Sequence, residues 1–165
     1  YNFGGSSASM NDVIATASGG SYENHGVVNL SSSTTMNSMV VTASGGELSI
    51  GVDNNSSSLT MNNVTATASG GTTLSYGMRN IDASPNIRSS AIKGEMAGLY
   101  NLSSGTILVQ NSQISGTGNA VYVDSGTTLR VGGSNLNGGP FGGVGTQVCA
   151  GNYDENYAFF PSTCP

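Results

Sequence analysis

The sequence predicts an all-β fold, a right-handed parallel β-helix (a solenoid) of about six to seven coils. Three observations predict it: one short segment recurs, its apolar residues fall in shared columns, and turn-forming residues separate those columns. Six near-copies begin at residues 9, 35, 60, 86, 108 and 130, at steps of 26, 25, 26, 22 and 22 residues. A unit this short cannot bury a core alone, so successive copies must stack on one another.

Each copy predicts two strands joined by a corner. Two apolar columns are separated by one polar residue, which is the period of a strand with one buried face. They run Met10, Met36, Met61, Ile87, Val109, Val131 and Ala8, Thr34, Leu59, Pro85, Ile107, Leu129. A third column of small or aliphatic residues lies five residues after the first: Ala15, Val41, Ala66, Ile92, Ile114, Leu136. The residues between tolerate left-handed backbone, which indicates a corner: Asp12, Ser38, Asn63, Ser89, Asn111, Gly133.

A further strand is predicted before each copy. Its second position is always apolar, at Val27, Val52, Met78, Leu99 and Val121. Its fourth position is Asn29, Asn54, Asn80 and Asn101, which we expect to form a ladder of amide hydrogen bonds that ends at Val123. Three strands in a unit of this length match one coil of a parallel β-helix, and parallel crossovers are overwhelmingly right-handed. Residues 1–140 are therefore predicted to be coils.

The last part of the chain, residues 141–165, is predicted to be a capping segment. The repeat fails after Gly138 and aromatic residues become frequent, as suits a segment that covers the open end of a solenoid. Cys149 and Cys164 both lie here. They are too few for a zinc site, so we predict a disulfide, which implies a place outside the reducing cytosol. A pair of free thiols is the alternative.

Charge and composition exclude several classes of function. Only 8% of the residues are charged, the net charge is −5, and four basic residues cannot form the stripe that nucleic-acid binding requires. No run of about 20 apolar residues is present, so no membrane insertion is predicted. No cofactor is predicted either. The chain opens within what looks like an unfinished coil, and we expect it to be the C-terminal piece of a longer protein.

These features resemble a known group of proteins. The coils resemble those of right-handed parallel β-helix proteins of the pectate-lyase-like superfamily. The ending Cys-x-x-x-Tyr-Asp-Glu-Asn-Tyr…Cys resembles that of secreted or surface bacterial β-helix proteins. The resemblance implies the fold and an extracellular or cell-surface location. It does not select a function, because the superfamily includes polysaccharide lyases, hydrolases, epimerases, phage tailspikes, adhesins and inert spacers.

A polysaccharide lyase of this superfamily would be expected to carry an acidic cluster for calcium beside a basic residue. The outward column Val28, Asp53, Arg79, Tyr100, Tyr122 offers only Asp53 next to Arg79, and a simple ion pair is the favoured interpretation. No catalytic residue and no metal ligand is therefore assigned. His25 beside Glu23 is too little for acid–base chemistry.

The candidate binding residues are aromatic or lie in corner insertions. Tyr100 and Tyr122, 22 residues apart, are predicted to stack on the outer surface, either as a platform for sugars or as a pair that stabilises the sheet. The first three coils carry insertions at one corner, which contain Tyr22, His25 and Tyr76. In the same insertions Leu48, Ile50 and Leu74 alternatively widen the core.

The function expected from these residues is that of a non-enzymatic structural or adhesive domain. It would form the C-terminus of an extracellular bacterial or phage-related surface protein and contact a polysaccharide or another surface protein. One alternative is a polysaccharide-active enzyme, or a fragment of one. Another is ice binding through Thr16, Thr42 and Thr67, which is disfavoured because that column continues as Lys93, Ser115 and Asn137.

Overall fold

The structure, a computed structural model, describes residues 1–139 and 141–165, and within these it contains strands and no helix. The predicted boundary between coils and cap falls on Pro140, outside the described residues.

The first sheet consists of β1 (Asn2–Phe3), β4 (Glu23–Leu30), β7 (Leu48–Asn55), β10 (Leu74–Ile81), β13 (Ala97–Leu102), β16 (Asn119–Val123) and β19 (Gly142–Gly143). The second consists of β2 (Ser7–Asn11), β5 (Ser33–Asn37), β8 (Ser58–Asn62), β11 (Asn86–Arg88), β14 (Gly105–Gln110), β17 (Thr127–Gly132) and β20 (Thr146–Ala150). The third consists of β3 (Ile14–Ser18), β6 (Val40–Ser44), β9 (Thr65–Ser69), β12 (Ala91–Gly94), β15 (Gln113–Gly116), β18 (Asn135–Gly138), β21 (Asn152–Tyr153) and β22 (Phe159–Phe160).

Parallel pairing between coils confirms the predicted solenoid. Each strand from β1 to β18 pairs in parallel with its equivalent in the next coil, and the predicted columns are in register, as Met10 with Met36 and Ile87 with Val109. Cys149 extends the same column beyond Val131. The stack amounts to about five turns, slightly fewer than the six to seven predicted, since several strands at its ends are only two residues long.

The corner between the second and third sheets has the predicted left-handed backbone. One residue per coil has a φ between 48° and 58°, and these residues are Asp12, Ser38, Asn63, Ser89, Asn111 and Gly133. Their short polar side chains, or the missing side chain of glycine, make this conformation accessible. The corner therefore turns at an equivalent residue in six successive copies and aligns the surface beside it.

The asparagine ladder inside the core is shorter than predicted. Asn29 Nδ2 donates to Asn54 Oδ1 at 2.8 Å, and Asn54 Nδ2 donates to Asn80 Oδ1 at 2.7 Å. Asn101 is in register with Asn80, but Asn80 Nδ2 instead donates to the carbonyl of Ala83 at 2.9 Å. The corner after Asn80 thus supplies a nearer acceptor within the same coil, and the expected third bond is absent.

The C-terminal end is closed by a disulfide and by one antiparallel strand. Cys149 and Cys164 are bonded, with their Cα atoms 5.2 Å apart, which confirms the predicted disulfide. β22 pairs with β21 in the antiparallel direction and covers the edge of the third sheet. Asp154 Oδ1 accepts hydrogen bonds from the amides of Asn156 and Ala158, so this carboxylate stabilises a turn.

A glycine in each central strand of the first sheet lies close to the third sheet. A Cβ added at Gly77 would lie 2.7 Å from the backbone carbon of Lys93 and 2.8 Å from Ile92 Cγ2, so only glycine allows this approach. The residues directly before these glycines, Ile50, Tyr76 and Ala97, are buried in a second apolar cluster that is separate from the main core. Leu48 and Leu74 pack against this cluster, so the corner insertions build a distinct apolar layer.

Candidate functional site

The outer face of the first sheet brings two of the predicted binding residues, Tyr100 and Tyr122, into one column with Asp53 and Arg79. Val28, Asp53, Arg79, Tyr100 and Tyr122 are in register on β4, β7, β10, β13 and β16. Alternation along each strand directs these side chains away from the core, because the residues on either side of them, such as Val52 and Asn54, face inward. The column therefore presents an ion pair at one end and aromatic rings at the other.

Asp53 is held from both adjacent coils. Arg79 Nε donates to Asp53 Oδ1 at 2.9 Å and Arg79 Nη2 donates to Asp53 Oδ2 at 2.7 Å, which is a bidentate pair. On the other side, His25 Nδ1 lies 3.3 Å from Asp53 Oδ2, and His25 Nε2 lies 3.4 Å from Glu23 Oε2. Both carboxylate oxygens of Asp53 are thus engaged, and its side chain is only 8% exposed.

The pKa values of this cluster reflect that pairing. Burial by itself would raise the pKa of Asp53, but hydrogen bonds from His25 and Arg79 and attraction to Arg79 outweigh it and lower the pKa. Burial would lower the pKa of Arg79, and the hydrogen bonds and charge of Asp53 reverse that effect and raise it. An ionised carboxylate that is already bonded to a guanidinium is a poor proton acceptor, so the geometry favours a structural pair.

Three tyrosine rings stack along the solenoid axis. The ring centroids of Tyr100 and Tyr122 are 4.8 Å apart, and those of Tyr76 and Tyr100 are 4.3 Å apart with nearly parallel planes. Tyr76 pairs in register with Ala97, whose small side chain leaves room for the Tyr76 ring to lie over Tyr100. The pKa of Tyr76 is raised, chiefly by burial and also by the neighbouring Tyr100. The stack therefore starts in the second apolar cluster and ends near the surface.

The predicted binding residues differ widely in accessibility. Tyr76 is only 3% exposed and the side chain of His25 is 14% exposed, whereas Tyr22 is 65% exposed. Tyr100 and Tyr122 are half-buried. Sequence reasoning anticipated the Tyr100–Tyr122 pair from its spacing, but not that Tyr76 joins it. The only signal for this was the small residue Ala97 in the next coil.

The next coil approaches the Tyr122 ring with a glycine. The residue in register with Tyr122 in that coil is Gly142, and a Cβ added there would lie 2.8 Å from Tyr122 Cδ2. A side chain at this position would collide with the ring, so glycine lets the next coil approach Tyr122 closely. Tyr122 therefore ends the aromatic stack as a half-buried ring.

Among residues 1–139 and 141–165, no group of three or more His, Cys, Asp or Glu side chains is arranged to hold a metal ion. Within the same residues there is no helix with the length and apolar character needed to cross a membrane. Comparison with known proteins gives no matching family model, no matching curated protein and no matching solved structure.

Proposed function

We propose that this chain is a non-enzymatic structural or adhesive β-helix domain. In this proposal it belongs to an extracellular bacterial or phage-related surface protein and contacts a polysaccharide or another surface protein through the outer face of the first sheet. The observation that carries the proposal is the Tyr76–Tyr100–Tyr122 stack, in which Tyr100 and Tyr122 are half-buried on the outer face of the first sheet. Rigid aromatic side chains provide contact area at low conformational cost.

Different observations support the proposed extracellular location and the proposed relation to the pectate-lyase-like superfamily. The Cys149–Cys164 disulfide supports an oxidising compartment, as for an extracellular or cell-surface protein. The three parallel sheets and the stacked corners support kinship with the pectate-lyase-like superfamily. Kinship of fold alone would still leave the function open, because that fold carries many chemistries.

The main alternative is a polysaccharide-active enzyme, and the cluster of Glu23, His25, Asp53 and Arg79 is the observation that favours it. Its geometry speaks against it, because both Asp53 oxygens are taken by Arg79 and His25, and His25 Nε2 faces Glu23 Oε2 at 3.4 Å. A general base must reach the proton that it removes, so this cluster would have to open before it could act.

The test is binding of the purified chain to an array of neutral and acidic glycans, compared between the natural protein and Tyr122→Ala. Tyr122 is preferable to Tyr100 for this change, because Tyr100 covers the buried Tyr76 and its loss would also destabilise the sheet. We expect Tyr122→Ala to lose at least tenfold in affinity, about 1.4 kcal/mol, with little change in thermal unfolding. Tyr122→Phe keeps the ring and is the matched control.

Two results would contradict the proposal. Binding that is unchanged in Tyr122→Ala would place the contact away from the tyrosine stack. Release of new reducing or unsaturated ends from polygalacturonate or alginate, lost in Asp53→Asn, would favour the enzyme instead.

A further inference from the structure

A second surface, on the corner between the second and third sheets, has the features of a ligand groove. It is a shallow, open groove of about 740 Å³ that follows the corner through four successive coils. At a coil spacing of roughly 4.8 Å, four coils span about 15 Å. Tyr153 and Tyr157 line it from the C-terminal segment, which sequence reasoning treated only as a cap.

The side chains along this groove carry unused hydrogen-bonding groups and no charge. Asn111, Gln113 and Thr65 line it, and their side chains make no hydrogen bond to any described residue. The Oδ1 atom of Asn135 is also without a partner, while its Nδ2 atom donates to the carbonyl of Asp154. None of the groove residues is acidic or basic. Such a surface suits an uncharged ligand that is rich in hydroxyl groups.

The backbone along the corner is already satisfied, which excludes pairing with an added strand. The amides of Asn63, Ser89 and Asn111 donate to the carbonyls of Arg88, Gln110 and Gly132. One step further along, the amides of Ser90 and Ser112 donate to serine hydroxyls of the next coil. A peptide that binds by strand addition needs free backbone groups at an edge, and this corner offers none there. Recognition here must use side chains.

Tyr157 supplies an exposed ring at the end of the groove. It is 78% exposed and has a φ of 59°, an uncommon backbone conformation for a bulky residue. The turn fixes this conformation, because the Tyr157 amide donates to the carbonyl of Asp154 and the Asp154 carboxylate accepts from two amides. Tyr153 is 39% exposed and packs against Phe159. Both tyrosines are thus held in place without being buried.

We propose that this groove binds a neutral oligosaccharide, with amide and hydroxyl side chains of Asn111, Gln113 and Thr65 bonded to sugar hydroxyls and Tyr157 against an apolar sugar face. The inference goes beyond the proposed function, since the groove and the tyrosine stack lie on different sheets. It shares with that function only the role of contacting glycans. The absence of charge in the groove selects neutral over acidic sugars.

The test uses isothermal titration of the full chain with maltohexaose, cellohexaose and chitohexaose as neutral probes and hexagalacturonate as the acidic probe. We expect a neutral probe to bind, and Gln113→Ala and Tyr157→Ala each to weaken it about tenfold. Both residues are exposed, so thermal unfolding should be nearly unchanged. Tyr157→Phe, which keeps the ring, is the control that should retain binding.

A second readout covers weak binding. In ¹⁵N-labelled protein the side-chain amide resonances of Asn111 and Gln113 should shift on addition of the neutral probe, while those of Asn54, in the core, should not. The inference is overturned if only the acidic probe binds, if no neutral probe binds or shifts these resonances, or if neutral binding survives Gln113→Ala and Tyr157→Ala. If Tyr122→Ala loses binding of the neutral probe while Gln113→Ala and Tyr157→Ala keep it, the groove is not the binding site and the tyrosine stack is supported instead.

Discussion

At the scale of single residues, each outward position on the first sheet depends on its neighbours in adjacent coils. Asp53 occupies the same column as Val28, so burial at this position suits an apolar side chain. A buried carboxylate is tolerated because Arg79 approaches from the next coil and forms two hydrogen bonds. Removing one partner leaves the other charge unpaired, which costs more than the pair contributes.

This pairing predicts how stability depends on pH. The pKa of Asp53 is lowered in the folded chain, so its contribution to stability is present above the unfolded pKa of about 3.9 and is lost as pH falls through the folded pKa. Asp53→Asn should cost roughly 3 kcal/mol at pH 7. In urea unfolding, the difference in free energy between the natural chain and Asp53→Asn should shrink as pH falls below about 4.

The control for this prediction removes both charges. Asp53→Asn combined with Arg79→Leu leaves no unpaired guanidinium, so it should be more stable than Asp53→Asn alone. A stability difference that stays constant from pH 7 down to pH 2.5 would show that Asp53 ionisation does not stabilise the fold.

At the scale of elements, the described part of the chain forms two asparagine ladders that differ mainly in burial. In the core, Asn54 donates to Asn80 and accepts from Asn29, and all three side chains are inaccessible to solvent. On the outside of the second sheet, Asn37 donates to Asn11 at 2.8 Å and accepts from Asn62 at 3.0 Å. The same bonds in water exchange with solvent, so their loss should cost less.

The two ladders therefore provide a matched pair of changes. Asn54→Ala leaves Asn29 Nδ2 and Asn80 Oδ1 buried without partners, and at about 1–3 kcal/mol for each group the free energy of unfolding should fall by roughly 4 kcal/mol. Asn37→Ala removes the central residue of the outer ladder and should cost less than about 1 kcal/mol. Chemical denaturation of both variants measures the difference. Equal losses would mean that burial does not set the strength of these ladders.

The sequence predicted those structural features that depend on a residue type recurring at the same position of every coil. The column of Met36 and Met61 and the corner at Asn63 follow from side-chain chemistry at a fixed spacing, so both could be read before the structure was known. The handedness of the coils stays a prediction. Contacts that occur in only one coil could not be predicted from the repeat. The side-chain amide of Asn80 donates to the carbonyl of Ala83, which the corner after Asn80 brings near in this coil. Tyr76 joins the tyrosine stack because its neighbour in register, Ala97, is small.

The groove was missed for a related reason. Its walls come from four coils and from a terminal segment, and no single repeat contains them. Sequence reasoning assigned the run from Tyr153 to Tyr157 to a cap, and the structure confirms a disulfide-pinned ending. It also places both tyrosines against the corner groove. A capping segment can thus complete a surface that the repeats only begin.

At the scale of the whole molecule, the two ends of the stack differ. At the C-terminal end, Cys149 is buried at the end of the core column, and β22 folds back on β21. At the N-terminal end, the core side chains of Met10 and Ala15 are only partly buried and Ile14 is 78% exposed. In a solenoid each coil is stabilised by its neighbours, so local stability should be highest in the central coils.

Reduction of the Cys149–Cys164 disulfide should therefore open the C-terminal segment and leave the central coils intact. The bond joins residues 15 apart, and a loop of that size contributes about 3 kcal/mol by restricting the unfolded chain. Amide hydrogen exchange should become faster in β21 and β22 after reduction, while exchange in β7 and β10, which pair with strands on both sides, should stay unchanged. Cys164→Ala, which keeps Cys149 in the core, should reproduce this pattern without a reductant. Faster exchange that begins in β7 or β10 would instead show that the disulfide holds the whole stack together.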